Sequence, residues 1–401
     1  MPDPKKTNAV PDAYLHGREP AYIKHQLLEG YLEKLFMIIG MSSTKLGITE
    51  LCYVDCFAGP WSDDSEDMGS TSIAISLQIL DRCRQALGRR GMRLRVRALY
   101  VEKDKPAFAR LQQFLSSRTP SGIKAEGLPG DFVALREQIL NWCGTNSFAF
   151  FFIDPKGWKD VGVTMLQPLL QRQRSEFLIN FMYDFVNRTA SMSEWKEEIA
   201  SLLGETVDVN NLHGPEREKR LLNTYRKNLK HHLPVEGKWQ GRSAYVRVLD
   251  RQKERPKYHL VYLTTHPRGT IEFMEISENL DQVQKRVRAS TKQHARIAKS
   301  GTGELFEPEA FVDAEEGHAS LSEVEAYWLK YLACGDRRVG EEAFANLLED
   351  TDWFPGDFQR ALGSLINAGK VRNLDAAHKR PKKPLHWKNE GERLQLTEGA
   401  K

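Results

Sequence analysis

Two apolar patterns alternate along the 401 residues. Residues 51–55, 96–101, 148–153 and 176–181 are short, nearly unbroken apolar runs, which is how strands buried on both faces read. A weaker strand is expected at 123–126. Between the runs, apolar residues recur at helical spacing: Ile23, Leu27, Leu28, Tyr31, Leu32, Leu35, Phe36 and Ile39 before the first run, and Ile73, Leu77 and Leu80 after it. Further helices are predicted over 106–115, over 133–142, and around Met165, Leu166, Leu169 and Leu170. Strands alternating with helices predict a doubly wound, mostly parallel α/β sheet. Runs at 244–249 and 258–265, joined by a polar turn, read as an antiparallel closing pair. Between them and the last parallel strand, residues 191–232 read as charged amphipathic helices carrying a basic ridge, with Arg217, Arg220 and Arg226 among its members.

Downstream the pattern becomes helical. A helix with a basic far end follows Pro267, and a linker is expected at 301–319. Helices over 321–332, 340–348 and 355–368, then a short strand opening at Gly369, predict a small winged-helix-like α+β unit over 320–375. The expected organisation is an N-terminal arm and helix (1–44), a sheet domain (45–300, with a helical insertion at 191–240), the linker, the winged-helix-like unit, and a basic tail (376–401). In that tail Trp387 stands among Arg380, Lys382 and Lys383, a composition suited to a nucleic-acid backbone and a stacked base.

Composition narrows this only a little. Net charge is +4, and charged residues make up 28% of the chain, close to the globular average. No apolar run is long enough to span a membrane, and the polar, proline-dotted start does not read as a signal peptide. Five scattered cysteines argue against a disulfide framework and fit a reducing cytoplasm. Cys52 and Cys56 read as inert buried thiols, and no ligand spacing suggests a metal.

Candidate chemistry collects where the strands end. In an open α/β sheet the carboxyl edge is where ligands bind. The first run closes on Asp55, followed by Phe57, Ala58 and Gly59, where a glycine allows close backbone approach. The second closes on Glu102, whose carboxylate can accept hydrogen bonds from both hydroxyls of a ribose. After the third comes Gly130-Asp131-Phe132, which reads either as an adenine contact or as a helix cap at Asp131. The fourth closes on Asp154-Pro155-Lys156-Gly157-Trp158, and the fifth carries Asn180 near its end, with Asp184 and Arg188 beyond. Lys24 and His25, early in the first helix, read as solvated face residues. The acidic stretch 62–69 is long for a βα turn, which takes about 2–6 residues.

Acids closing strands one, two and four, with Asp131 after strand three, resemble the class I S-adenosylmethionine-dependent methyltransferases over roughly residues 45–290. The resemblance implies a Rossmann-like sheet, with Asp55, Phe57, Ala58, Gly59, Glu102, Asp131 and Phe132 holding S-adenosyl-L-methionine. It also implies Asp154, Lys156 and Asn180 at the reacting centre, with Trp158 and Arg188 against the substrate. Tyr53-Val54-Asp55 through Phe57-Ala58-Gly59-Pro60, Gly69-Ser70, Phe152-Ile153-Asp154-Pro155, Gly157-Trp158 and Asn187-Arg188 resemble the bacterial three-Cys-motif partner family. Its members are encoded beside a protein carrying a three-cysteine motif, which implies that protein as a partner; the winged-helix-like unit and basic tail add nucleic acid. Trp61 stands where many methyltransferases carry a further glycine, and Asp154-Pro155-Lys156-Gly157 departs from the Asp-Pro-Pro-Tyr of amino-methylating DNA enzymes. A non-catalytic nucleic-acid adaptor on the same fold is the competing reading, followed by a Mg²⁺-dependent nuclease built on Asp55, Asp154 and Asp184.

Overall fold

A computed structural model describes residues 18–59, 71–250, 253–300, 318–378, 380 and 383–397. The N-terminal arm, Pro60, Trp61, the acidic stretch with Gly69 and Ser70, most of the expected linker, and Lys382 lie outside the described residues. The chain divides into two compact units, Met1–Thr265 and His266–Lys401.

The first unit opens with α1 (Glu19–Leu46), ended by Gly47 in the left-handed conformation. Then come β1 (Glu50–Asp55), α2 (Ser72–Arg89), β2 (Arg95–Glu102), α3 (Lys105–Arg118), β3 (Ile123–Pro129), α4 (Phe132–Cys143), β4 (Ser147–Ile153), α5 (Val163–Leu170) and β5 (Ser175–Phe181). After these come α6 (Tyr183–Thr189), α7 (Lys196–Leu203), α8 (Gly214–His231), β6 (Arg242–Leu249) and β7 (Pro256–Thr264). The strands form one seven-stranded sheet in the order β3-β2-β1-β4-β5-β7-β6. The first five are parallel, and β7 and β6 close the sheet antiparallel.

Every residue of β4 and β5 is buried, as central strands covered on both faces must be. On one face Phe151, Phe177 and Phe181 pack with Leu166, Leu169 and Tyr225 of the helices after β4. On the other, α1 lies over Tyr262 and Phe150 through Tyr31. Strand order reverses between β1 and β4, so the crevice of a doubly wound sheet opens there, at the carboxyl ends.

The expected basic ridge between β5 and β6 is a correction. Arg217 turns inward to Asn187 Oδ1 (2.7 Å) and the Val209 carbonyl (2.6 Å). Arg226 donates to Ser243 Oγ (2.9 Å) and lies over the Tyr245 ring. Both guanidiniums satisfy polar groups inside the unit, so the ridge is thinner than composition implied.

The second unit contains α9 (Pro267–Ser300), α10 (Leu321–Leu332), β8 (Arg337–Val339), α11 (Glu341–Thr351), α12 (Pro355–Asn367), β9 (Val371–Asn373) and β10 (Glu392–Leu396). Its three strands run in the order β8-β10-β9. Trp328, Phe344, Phe358, Leu362 and Leu394 are fully buried and make its core. The expected basic tail beyond the winged-helix-like unit is therefore a correction too: β10 is the middle strand of this unit's sheet. Trp387 is 5% exposed and stacks on Phe344, so it is packing and not a platform for a base. Arg380 is paired with Glu392 at 2.5 Å. Among the described residues no helix is long and apolar enough to cross a membrane.

Candidate functional site

The turn after β1 is suspended between its two neighbouring strands. Cys56 N–H donates to the Phe152 carbonyl (2.9 Å) and Ala58 N–H to that of Val101 (2.8 Å). This holds Gly59 against the end of β2, where a Cβ on Gly59 would lie 1.9 Å from Glu102 Oε2. A side chain at position 59 would have to push that carboxylate aside, and no positive φ calls for glycine here. The other oxygen of Glu102 accepts from Asp104 N–H at 2.7 Å, which fixes the carboxylate's direction.

A cleft of about 850 Å³ opens beside this pair. Of the residues predicted for the site, Phe57, Gly59, Glu102, Phe132, Lys156 and Trp158 line it. The Phe57 and Phe132 rings meet at 5.1 Å. Trp158 is held by Phe185 and Trp195 at 5.7 and 5.9 Å between ring centres. Lys103, Arg110 and Lys159 also line the cleft and were not singled out from the sequence. They stand on the helices and loops that follow the strands, where no pattern marks them.

Beneath the turn is a charged cluster. Asp55 is fully buried and accepts from Phe57 N–H and Ser72 Oγ, both at 3.1 Å. Burial raises its carboxyl to about 7; those two hydrogen bonds and Lys24 oppose the shift, and Asp154 adds to it. Asp154 accepts from Asn180 Nδ2 at 2.7 Å through one oxygen and forms an ion pair with Lys24 through the other. Asn180 Oδ1 is buried with no hydrogen-bond partner among the described residues.

Lys24 and His25 correct the sequence reading, because neither is a solvated face residue. The Lys24 side chain is 15% exposed. His25 is buried, and burial, with Lys24 and Arg18 pushing the same way, lowers it to about 3, so the imidazole is neutral. A signal was present: Lys24 falls in register with Leu28 and Tyr31 on the apolar face of α1. A charge on a buried face calls for a partner, and that partner lies 130 positions away.

The remaining predicted residues stand apart from the cleft lining. Ala58 is buried in the turn. Asp131 caps α4, accepting from Val133 N–H (2.9 Å) and Ala134 N–H (3.4 Å) through one oxygen, which leaves its other oxygen outside the cap. Arg188 is exposed and stays with its own helix, donating to the Asp184 carbonyl at 3.1 Å. The Asp184 carboxylate is engaged by Arg255 at 3.1 Å.

A family model described as a GMT-like wHTH domain matches residues 293–378. Among solved structures, the chain is similar to an O-methyltransferase from Bacillus cereus in complex with SAH, at 9% identity over 63% of this chain and 94% of that one, with a TM-score of 0.29. It is also similar to a dimethyladenosine transferase from Plasmodium falciparum, at 10% identity over 87% and 97% of the two chains, with a TM-score of 0.28. No curated protein matches. The first unit, with five parallel strands and an antiparallel closing pair, is a Rossmann-like doubly wound fold, and the second carries a winged helix-turn-helix domain.

Proposed function

We propose that this protein is an S-adenosyl-L-methionine-dependent methyltransferase, that it acts on or with nucleic acid, and that it works with a three-Cys-motif protein encoded nearby. The observation that carries the first part is the Gly59–Glu102 contact at the mouth of the cleft. It combines an acid closing the second strand with a backbone stripped of its side chain on the first, which together suit a ribose and the chain attached to it. The cleft volume falls in the usual range for small-molecule sites, about 300–1,000 Å³. Phe57 and Phe132 supply apolar wall for a purine, and Glu102 keeps one oxygen clear of Asp104 for hydroxyl donors.

When bound, the cofactor supplies a methyl group on a sulfonium, and transfer depends on alignment more than on acid–base power. Asp154 suits a positioning role. Each of its oxygens carries one contact, from Lys24 and from Asn180, which fixes the carboxylate's direction beneath the turn after β1. Lys156, on the cleft wall, offers a cation to an anionic acceptor. Asn180 Oδ1 offers a buried acceptor to a donor group. The nucleic-acid part of the reading is supported by the winged helix-turn-helix domain. The partner protein is supported by the sequence resemblance alone.

The test is calorimetric titration of S-adenosylmethionine into wild type and Glu102→Ala. Hydrogen bonds to a charged group contribute about 1.5–3 kcal/mol each, so losing even one should weaken binding at least tenfold with the fold intact. Equal affinity in the two proteins refutes the assignment of the site. Wild-type binding with no methyl transfer to nucleic-acid or protein fractions moves the reading to a non-catalytic adaptor.

A further inference from the structure

The second unit separates its charges by element. Helices α10 and α11 carry Glu323, Glu325, Glu341, Glu342, Glu349 and Asp350 against one base, Lys330. Helix α12, the third of the motif, carries a single basic residue, Arg360, and its guanidinium is tied to the buried Asp357 at 3.1 Å.

The strands invert this. Leu394 and Leu396 of β10 are buried, so Arg393 and Gln395 lie on the opposite, outer face. Directly across from Arg393 is Arg338 of β8, and across from Gln395 is Arg372 of β9. Like charges directly opposite each other destabilise an antiparallel pair. Arg338 and Arg393 share one carboxylate, Asp375, at 3.2 and 3.4 Å, so that trio keeps a net positive charge. Arg372 is exposed and has no hydrogen-bond or ion-pair partner among the described residues. At the edge of β9 a separate cleft of about 500 Å³ is lined by Ile366, Val371, Arg372, Ala376, His378 and Pro384. Apolar wall beside an unpaired guanidinium suits the base or sugar of a strand whose phosphates lie on the arginines.

We propose that the outer strand face, and not α12, is the nucleic-acid surface of this unit, with Arg338, Arg372 and Arg393 holding the phosphate backbone. This rests on the nucleic-acid part of the function proposed above and is independent of its cofactor part. The face is cationic because three strands each contribute an arginine, whereas the helix that reads bases in many helix-turn-helix proteins is here almost without positive charge.

The experiment uses the full chain and labelled, mixed-sequence DNA, duplex and single-stranded, with anisotropy measured over a range of salt. Arg372→Gln removes a partnerless surface charge and cannot disturb packing. It should weaken binding several-fold and reduce the log–log salt slope by one contact, about 0.9 on duplex or about 0.7 on single strand. Arg372→Gln with Arg393→Gln should remove about two contacts and at least tenfold in affinity, and the paired Arg→Lys variants should restore most of it. Arg360→Gln should bind as wild type. The proposal is overturned if Arg360→Gln loses binding while the glutamine variants keep it. It is overturned also if wild type binds neither probe, an outcome that leaves the S-adenosylmethionine titration standing by itself.

Discussion

Lys24 and Asp154 show how one side chain changes what another can do. An unpaired Asp154 would be free to turn; with Lys24 on one oxygen and Asn180 on the other, its carboxylate is held in one direction. Both side chains are mostly but not fully buried, at 15% and 18% exposure. Removing one partner of a fully buried pair costs about 3–5 kcal/mol, so Lys24→Met is expected to cost less, about 1–3 kcal/mol, by stranding the carboxylate. Adding Asp154→Asn should recover part of that loss, because the double variant strands no charge. Urea unfolding of the two single variants and the double checks this. Strict additivity would show that the two groups do not interact.

That pair also marks a limit of the sequence. The acids closing β1, β2 and β4 were legible because each ends an apolar run, and a run followed by an acid and a turn residue has few other readings. Lys24 was not, because the pattern places it on a face without naming the opposing residue. Asp131 was legible only as a choice between two roles, since a cap and a ligand demand the same short carboxylate. The alternation Arg393-Leu394-Gln395-Leu396 was a readable strand signal, but the surrounding lysines and arginines masked it as a tail.

At the scale of elements, α1 is fastened to the sheet by more than apolar contact. Tyr31 donates to Glu176 Oε2 (2.7 Å) at the start of β5 and lies 2.5 Å, oxygen to oxygen, from Tyr262 of β7; Thr264 completes the set at 2.9 Å. Burial raises the Glu176 carboxyl from 4.5 to about 7, against the pull of the hydrogen bonds it accepts. The unfolded group loses its proton near 4.5, and the folded one holds it until about 7. The stability this contributes is therefore complete below 4.5 and is lost as pH rises through 7. Asp55 behaves the same way. Glu176 and Asp55 thus favour pH 5 over pH 8, while His25, lowered from 6.5 to about 3, favours pH 8. The part due to Glu176 is therefore read as the loss of stability from pH 5 to pH 8 compared with a variant. Glu176→Gln, which keeps a carbonyl acceptor but cannot titrate, should show a smaller loss than wild type. Equal pH dependence in denaturant titrations of the two proteins would contradict a protonated Glu176 at the junction of α1 and β5.

At the scale of the whole molecule there are two compact units with separate cores. A chain stopped after Asp375 keeps the first unit entire but lacks β10. It is expected to lose the cooperative melting of the second unit while still gaining stability from S-adenosylmethionine. Mass action sets that gain at about 2.7 kcal/mol when the ligand stands at a hundred times its dissociation constant. Calorimetry of the shortened and complete chains, each with and without ligand, separates the two. A shortened chain that still melts in two steps would mean the strands are dispensable to the winged-helix core.

The order β8-β10-β9 bears on how the molecule is made. On a ribosome, β8 and β9 emerge first and have no partner in each other. Both stay open-edged until β10 follows, a state in which strands invite the wrong neighbour. The arginines of β8 and β9 are thus brought into line with Arg393 in a single late step. A nascent chain cannot assemble that cationic surface, or engage a polyanion through it, before both flanking strands have been captured by the one between them.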